Sequence, residues 1–198
     1  MIGTPQKYLL AVFGIAIMVL DVSVVSAQLA EEYIQDLVAA NHVLAQHDVF
    51  DGYGHLSVRH PDNPNHILIS RSRPAALVEA ADIVEVDLDG NPLNPGGPSL
   101  FQETFIHTEI YRLRPGVHAI VHNHSPTVIT FSISSVPLQA LNSLSAFIMQ
   151  GVPIWDYRSL GIERGTLVDD ASRGRDLAET LDTKAVVLMR NHGATIVG

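Results

Sequence analysis

The 198-residue chain contains no cysteine, so it has no disulfide framework, no thiolate metal site and no cysteine nucleophile. Positive charge is scarce: 12 Lys+Arg stand against 21 Asp+Glu, for a formal net charge of -9. The basic residues never gather into a block, and with a pI near 5.4 this excludes a nucleic-acid surface. The longest apolar run, Tyr8 to Leu20, has thirteen residues, short of the ~20 that a comfortable membrane span needs. Charged residues make up 17% and hydrophobic residues 46%. That balance excludes disorder and supports one globular domain with a sizeable core. In place of all these, the chain has ten histidines.

Lys7, the apolar run behind it and the small residues Val25 and Ala27 read as a secretory signal, residues 1–27, cleaved after Ala27. An uncleaved anchor and a misassigned start codon are the competing readings. Removing 27 of 198 residues leaves 171, and because Lys7 and Asp21 leave together the net charge stays at -9. The expected location is periplasmic or secreted with cleavage and cytoplasmic without it, with no membrane attachment once the signal is gone. The missing thiols agree with an oxidising compartment.

Apolar residues at helical spacing predict a helix over Ala30 to Gln46, broken by Asp51-Gly52-Tyr53-Gly54. Gly54 to Arg59 and His66 to Ser70 are a strand and its hairpin partner across a Pro/Asn turn, and Ile83 to Leu88 alternates like a third strand. Leu100 to Leu113 is expected to be helical, Val117 to His122 a short buried strand, Leu138 to Gln150 and Arg173 to Leu181 helices, and Ala185 to Met189 an apolar strand. Interleaved helices and hairpin-linked strands without repeats give an α/β class with a mixed, largely antiparallel sheet.

His122 and His124 end an apolar strand one residue apart, so both imidazoles point the same way. His192 ends another apolar strand before Gly193. Three neutral imidazoles meeting at one point make a ligand set for Zn²⁺ or a similar divalent ion, with positions left open for water or substrate. The plain alternative is a pair of half-exposed histidines at a strand end. Glu103, taken alone, is an ordinary carboxylate near a helix start.

The run Glu103-Thr104-Phe105-Ile106-His107, then Arg114-Pro115, then Val121-His122-Asn123-His124 and finally Asn191-His192-Gly193 strongly resembles the class II aldolase/adducin family. The resemblance spans about Ala30 to Gly198, so the domain is taken as 28–198. It implies a mixed sheet flanked by helices in three layers, a divalent ion (zinc foremost, manganese or another as alternatives) on His122, His124 and His192, and Glu103 as the acid/base beside it. It also implies a homo-oligomer, commonly a tetramer, acting on a small-molecule substrate. His107 falls on the same helix face as Glu103, as a supporting or a core-edge residue.

The chain departs from the sugar-phosphate aldolases of that family. Where they cradle phosphate with small donors, it has Gly54-His55-Leu56-Ser57, Ile69-Ser70-Arg71-Ser72-Arg73, and Leu100 and Phe101 ahead of Glu103. Arg71 and Arg73 offer guanidinium forks suited to carboxylates, with two solvated loop arginines as the plain alternative. The Ser-Arg-Ser-Arg loop resembles the decarboxylase branch, whose substrates carry carboxylates. Glu103 stands where epimerases of the family carry aspartate, and adducin proper lacks the three histidines. The expected function is therefore a metal-dependent lyase that breaks a C–C bond by decarboxylation or retro-aldol reaction, with Ser57, Ser70 and Arg71 contacting substrate. An idle adducin-like scaffold, or a sugar-phosphate aldolase or epimerase, is the alternative. Family members usually continue for tens of residues past the third histidine, whereas this sequence ends six residues after His192. Truncation and a reduced closure of the fold are the two readings of that end.

Overall fold

A computed structural model describes residues 22–94, 96–161 and 165–198. The signal expected at 1–27 falls outside the described residues up to position 21, and its last six residues form the start of helix α1, Val22–Gln46. No described helix is long and apolar enough to cross a membrane.

After α1 come β1 (His55–Arg59), β2 (His66–Ser70), β3 (Ile83–Asp87), α2 (Thr104–Leu113), β4 (Ala119–Asn123), α3 (Pro126–Ile133), β5 (Ile154–Trp155), α4 (Ala171–Leu181), β6 (Val186–Met189) and β7 (Gly193–Val197). The seven strands form one sheet in the order β3-β2-β1-β4-β7-β6-β5. Every pairing is antiparallel except that of the short β5 with β6. This is the mixed, largely antiparallel α/β architecture that the sequence predicts.

Strand alternation divides the side chains between two helical layers. Ile67, Ile69, Val84, Val86, Ile120 and Val187 bury one face against Ile106, Ile110 and Tyr111 of α2 and Leu177 and Leu181 of α4. The opposite face is covered by α1 over Leu56, Leu68 and Val121, and by Val128 and Phe131 of α3 over Leu188 and Ala194. The sheet therefore lies between two layers of helices. On its α2 side β1 carries polar residues among apolar neighbours, and the functional groups collect there.

Several expected boundaries move for local reasons. Helix α2 begins at Thr104 rather than Leu100, because the Thr104 hydroxyl and backbone N–H both donate back to the Phe101 carbonyl. The preceding residues are thus freed from the helix. The helix expected over Leu138 to Gln150 is only a 3-10 turn, Ser143–Ile148. Asn142 caps it by accepting from the N–H groups of Leu144 and Ser145, and this local closure competes with a longer helix. The strand expected at Val117 to His122 runs from Ala119 to Asn123. Helix α3 and strands β5 and β7 carry no separate expectation from sequence.

Helices α2 and α4 cross at Gly174, where a Cβ would lie 2.5 Å from the Phe105 carbonyl oxygen and 3.0 Å from the Glu109 Cγ. Neither backbone can yield without opening the layer. Gly174→Ala should therefore destabilise the protein by about 1–3 kcal/mol, despite the better helix propensity of alanine. Urea denaturation measures this, and an unchanged or raised midpoint would show that the crossing is not tight.

Candidate functional site

Strand pairing aligns His55 of β1 with His122 of β4, and His122 with Thr195 of β7. The hairpin joining β6 to β7 closes with Met189 opposite Gly193, which places His192 in its tight loop. Asn191 takes the left-handed conformation there, with φ 54°, one that asparagine tolerates better than most residues. Gly193 must be glycine, because a Cβ would come within 2.1 Å of the Asn123 carbonyl oxygen. That close approach brings His192 up to the end of β4.

The three histidines meet. His122 Nε2 and His124 Nε2 are 3.0 Å apart, and His124 Nε2 and His192 Nε2 are 3.2 Å apart. Each ring uses its other nitrogen outward. His192 Nδ1 bonds the Thr166 carbonyl at 2.9 Å, His124 Nδ1 bonds both Asp51 carboxylate oxygens at 3.1 Å, and His122 Nδ1 lies 3.3 Å from the Thr195 hydroxyl. A carbonyl or carboxylate only accepts, so the Nδ1 atoms of His124 and His192 carry hydrogens, and in the neutral rings that a metal requires their Nε2 atoms present bare lone pairs. Two such lone pairs at this distance repel unless positive charge lies between them. Ligand nitrogens ~2.0–2.1 Å from one ion at angles of 90–110° stand about 2.8–3.4 Å apart, which matches the observed spacing. Outward Nδ1–H groups on oxygen acceptors are also how metal-binding histidines are commonly oriented.

Glu103 completes the cluster. One carboxylate oxygen accepts the Val168 N–H at 3.0 Å, and the other lies 3.3 Å from His192 Nε2 and 3.7 Å from His122 Nε2. The carboxylate precedes α2 without capping it. The four ligand atoms lie within 4.8 Å of one another, a donor set suited to a divalent cation.

Behind the cluster, alternate residues of β1 face one stripe of α2. His55 Nδ1 meets His107 Nε2 at 2.7 Å, His107 Nδ1 meets Ser57 Oγ at 2.6 Å, and Ser57 Oγ meets the Tyr111 hydroxyl at 3.0 Å. Burial holds His107 down to about 3 and lowers His122 and His55 well below the ordinary range, while burial raises Tyr111. For His122 and His55 the neighbouring imidazoles push the same way. Burial also pushes Asp51 upward, but N–H groups of Tyr53 and Gly54 and the His124 ring outweigh it and hold the carboxylate below its usual value.

The cluster opens on a cavity of about 480 Å³ lined by His55, Ser72, Leu100, Phe101, Glu103, His124, Thr166, Leu167 and His192, with Tyr53 and Gln102. No lysine or arginine is among these residues. The three positions expected to contact substrate are placed elsewhere. Ser57 is fully buried and bonded to His107. Ser70 is also buried, one residue out of phase with Ile69 and so on the α1 side of the sheet. Arg71 shares the buried Asp82 carboxylate with Arg73. Instead, Ser72 reaches the cavity. Asp51, Thr166 and Thr195, which orient the histidines, went unmarked in the sequence because only strand register and loop folding bring them there.

A three-histidine cluster with an adjacent carboxylate, set in this mixed α/β sheet, suggests a divalent metal site, and comparison with known proteins identifies the family. The chain belongs to the class II aldolase and adducin family: the family model described as "Class II Aldolase and Adducin N-terminal domain" matches residues 35–198. It is 35% identical over 178 residues to the decarboxylase tropJ of Talaromyces stipitatus, covering 83% of this chain and 67% of that one. It is 32% identical over 166 residues to the 3,4-dihydroxyphthalate decarboxylase of Arthrobacter keyseri, covering 80% and 66%. Among solved structures, L-fuculose 1-phosphate aldolase from Glaciozyma antarctica superposes with a TM-score of 0.71 at 25% identity, over 87% of this chain and 66% of that one. The chain thus spans about two thirds of the length of these relatives.

The buried imidazoles make stability depend on pH. His107 is neutral when folded but takes a proton below pH ~6.5 when unfolded, so its contribution is whole above that value and is lost as pH falls towards about 3. Across that window each pH unit should remove up to about 1.4 kcal/mol per such imidazole. Denaturation of metal-free protein between pH 7 and 4 should show this slope, made shallower by about one proton in His107→Gln. A flat wild-type profile would contradict the buried neutral ring.

Proposed function

We propose that this protein is a divalent-metal-dependent lyase that decarboxylates a small hydroxylated carboxylate, with zinc the first candidate ion and manganese the second. The observation that carries the reading is the convergence of His122, His124, His192 and Glu103 on a cavity with no lysine or arginine among its described lining residues. Among the described lining residues a distant phosphate has no basic partner, whereas a carboxylate with a neighbouring hydroxyl suits an ion that these histidines would hold. The names of the decarboxylase relatives support the same direction.

The bound ion would supply Lewis acidity to two substrate oxygens and take up the negative charge left as the C–C bond breaks. Leu100, Phe101 and Leu167 give the cavity an apolar lining beside that charge. Glu103 is held by the Val168 N–H with its other oxygen towards the histidines, and there it carries the proton to or from the reacting carbon. Arg71 is left out of substrate contact in this proposal because Asp82 already occupies it.

The test is metal-loaded protein assayed for CO₂ release from 3,4-dihydroxyphthalate and related hydroxybenzoates, and for aldol cleavage of L-fuculose 1-phosphate. Decarboxylation should dominate, and Glu103→Gln should lower kcat by about 10²–10⁴-fold. Equal turnover by the variant removes Glu103 from its role. Aldol cleavage alone would move the protein to the sugar-phosphate branch, and inactivity towards all of them favours the scaffold alternative.

We also propose export by residues 1–27 and assembly as a homo-oligomer, a tetramer by resemblance. Cleavage after Ala27 spares Ile34, Leu37 and Leu44, the residues through which α1 packs on the sheet. Leu141, Leu144, Phe147 and Met149 are 88%, 87%, 59% and 75% exposed, a concentration of apolar surface of the kind that marks an interface. Native mass spectrometry of protein expressed from the full sequence should give a tetramer of chains beginning at Gln28. Monomers, or chains retaining residues 1–27, would refute the corresponding half.

A further inference from the structure

The buried chain from His55 to Tyr111 has a direction. Tyr111 has one hydroxyl hydrogen, and its oxygen lies 3.1 Å from the Ser57 carbonyl and 3.4 Å from the His118 carbonyl. Carbonyls only accept, so the Tyr111 hydrogen points to them. The 3.0 Å contact between Tyr111 and the Ser57 hydroxyl then needs the serine hydrogen. With that hydrogen committed, Ser57 Oγ can only accept at its 2.6 Å contact with His107 Nδ1, so Nδ1 carries the hydrogen of this ring. His107 Nε2 is then a bare acceptor, and the 2.7 Å contact with His55 Nδ1 places the hydrogen on His55. His55 Nε2 is the end of the sequence and carries no hydrogen.

That nitrogen belongs to a ring lining the cavity, packed against Phe101 at 4.6 Å and His122 at 5.0 Å between ring centroids. It takes no hydrogen bond from any described residue. Burial keeps His107 neutral and Tyr111 protonated, so the chain holds an orientation without holding a charge.

We propose that His55 is a specificity-determining residue whose bare Nε2 accepts a hydrogen bond from a substrate hydroxyl, with His107, Ser57 and Tyr111 as the positioning residues that fix its tautomer. The inference rests on reading the cavity as the substrate site, and it deepens that reading. A group that offers only lone pairs, such as phosphate, a carboxylate or an aryl ether, would face the His55 lone pair and be rejected. A phenol or alcohol next to the group held at the ion would be accepted. A pocket that hydrogen-bonds a substrate hydroxyl discriminates strongly against analogues without it, because its own polar atom is then left unpaired.

Nitrogen-15 NMR of the histidine rings in metal-loaded protein reads the tautomer directly, independently of any activity. Wild type should show His55 protonated on Nδ1. Tyr111→Phe keeps the ring in the core but removes the acceptor for the serine hydrogen, so Ser57 can donate to His107 and the chain reverses. His55 in that variant should become protonated on Nε2, although Tyr111 lies outside the cavity lining. Binding of 3,4-dihydroxyphthalate and of its two monomethyl ethers, measured by calorimetry, gives the second readout. One ether should bind wild type at least about tenfold more weakly than the diol, and Tyr111→Phe should reduce that gap to a few-fold. A wild-type His55 protonated on Nε2 overturns the proposal. So does the absence of any difference between diol and ethers, including failure of all three to bind. Loss of decarboxylation with the tautomer and the diol preference intact would instead overturn the reaction assignment and leave this inference standing.

Discussion

Two imidazole lone pairs that face each other across 3.2 Å at His124 and His192 are the constraint on which the structure turns. Each exists because the opposite side of the ring donates to oxygen, the Asp51 carboxylate in one case and the Thr166 carbonyl in the other. Neither ring can turn to relieve the repulsion without losing that partner. A cation between them would resolve the conflict, and the surrounding fold keeps the two rings in place. The close approach of β7 to β4 at Gly193 and the left-handed Asn191 both hold His192 where it opposes its neighbours.

The polar seam between β1 and α2 is the second consequence of the same arrangement. A buried polar group is costly unless it is paired, and here the pairing is complete from His107 through Ser57 to Tyr111. Arg59 closes the seam by donating to the carbonyls of Val117, Tyr111 and Arg114 while its guanidinium stacks 4.6 Å from the Tyr111 ring centre. His107 and Tyr111 of α2, with Glu103 just ahead of the helix, are spaced by four residues and the strand stripe His55, Ser57, Arg59 by two. These are the periods that put each set on one face. The hydrophobic layer on either side, built from Ile67, Ile69, Ile106 and Ile110, makes each of those hydrogen bonds hard to exchange with water.

Much of this was legible in the sequence. The spacing of His122 and His124 gave two side chains on one face, and Glu103 and His107 were visibly on one helix stripe. The strands at His55, His66, Ile83 and Val186 followed from alternation or from short apolar runs. What escaped was whatever depends on pairing between distant segments. Ser57, Ser70 and Arg71 looked equally able to reach substrate. Only the register of β1 with β4 turns Ser57 inward to His107, and only the alternation of β2 turns Ser70 to the other face. Asp82 lies eleven residues from Arg71 and occupies its guanidinium, which no local pattern announces. The 3-10 segment at Ser143–Ile148 was missed because apolar spacing suggested a helix, while the Asn142 cap favoured a short local closure.

The central claim is that His122, His124 and His192 form one metal centre. X-ray absorption at the metal edge of zinc-loaded protein tests it most directly. The account predicts one ion per chain, with three imidazole nitrogens at about 2.0–2.1 Å and oxygen completing the shell, falling to fewer imidazoles in His122→Ala. Protein that retains no ion after dialysis, or an ion bound by fewer than three imidazoles in the wild type, would contradict it.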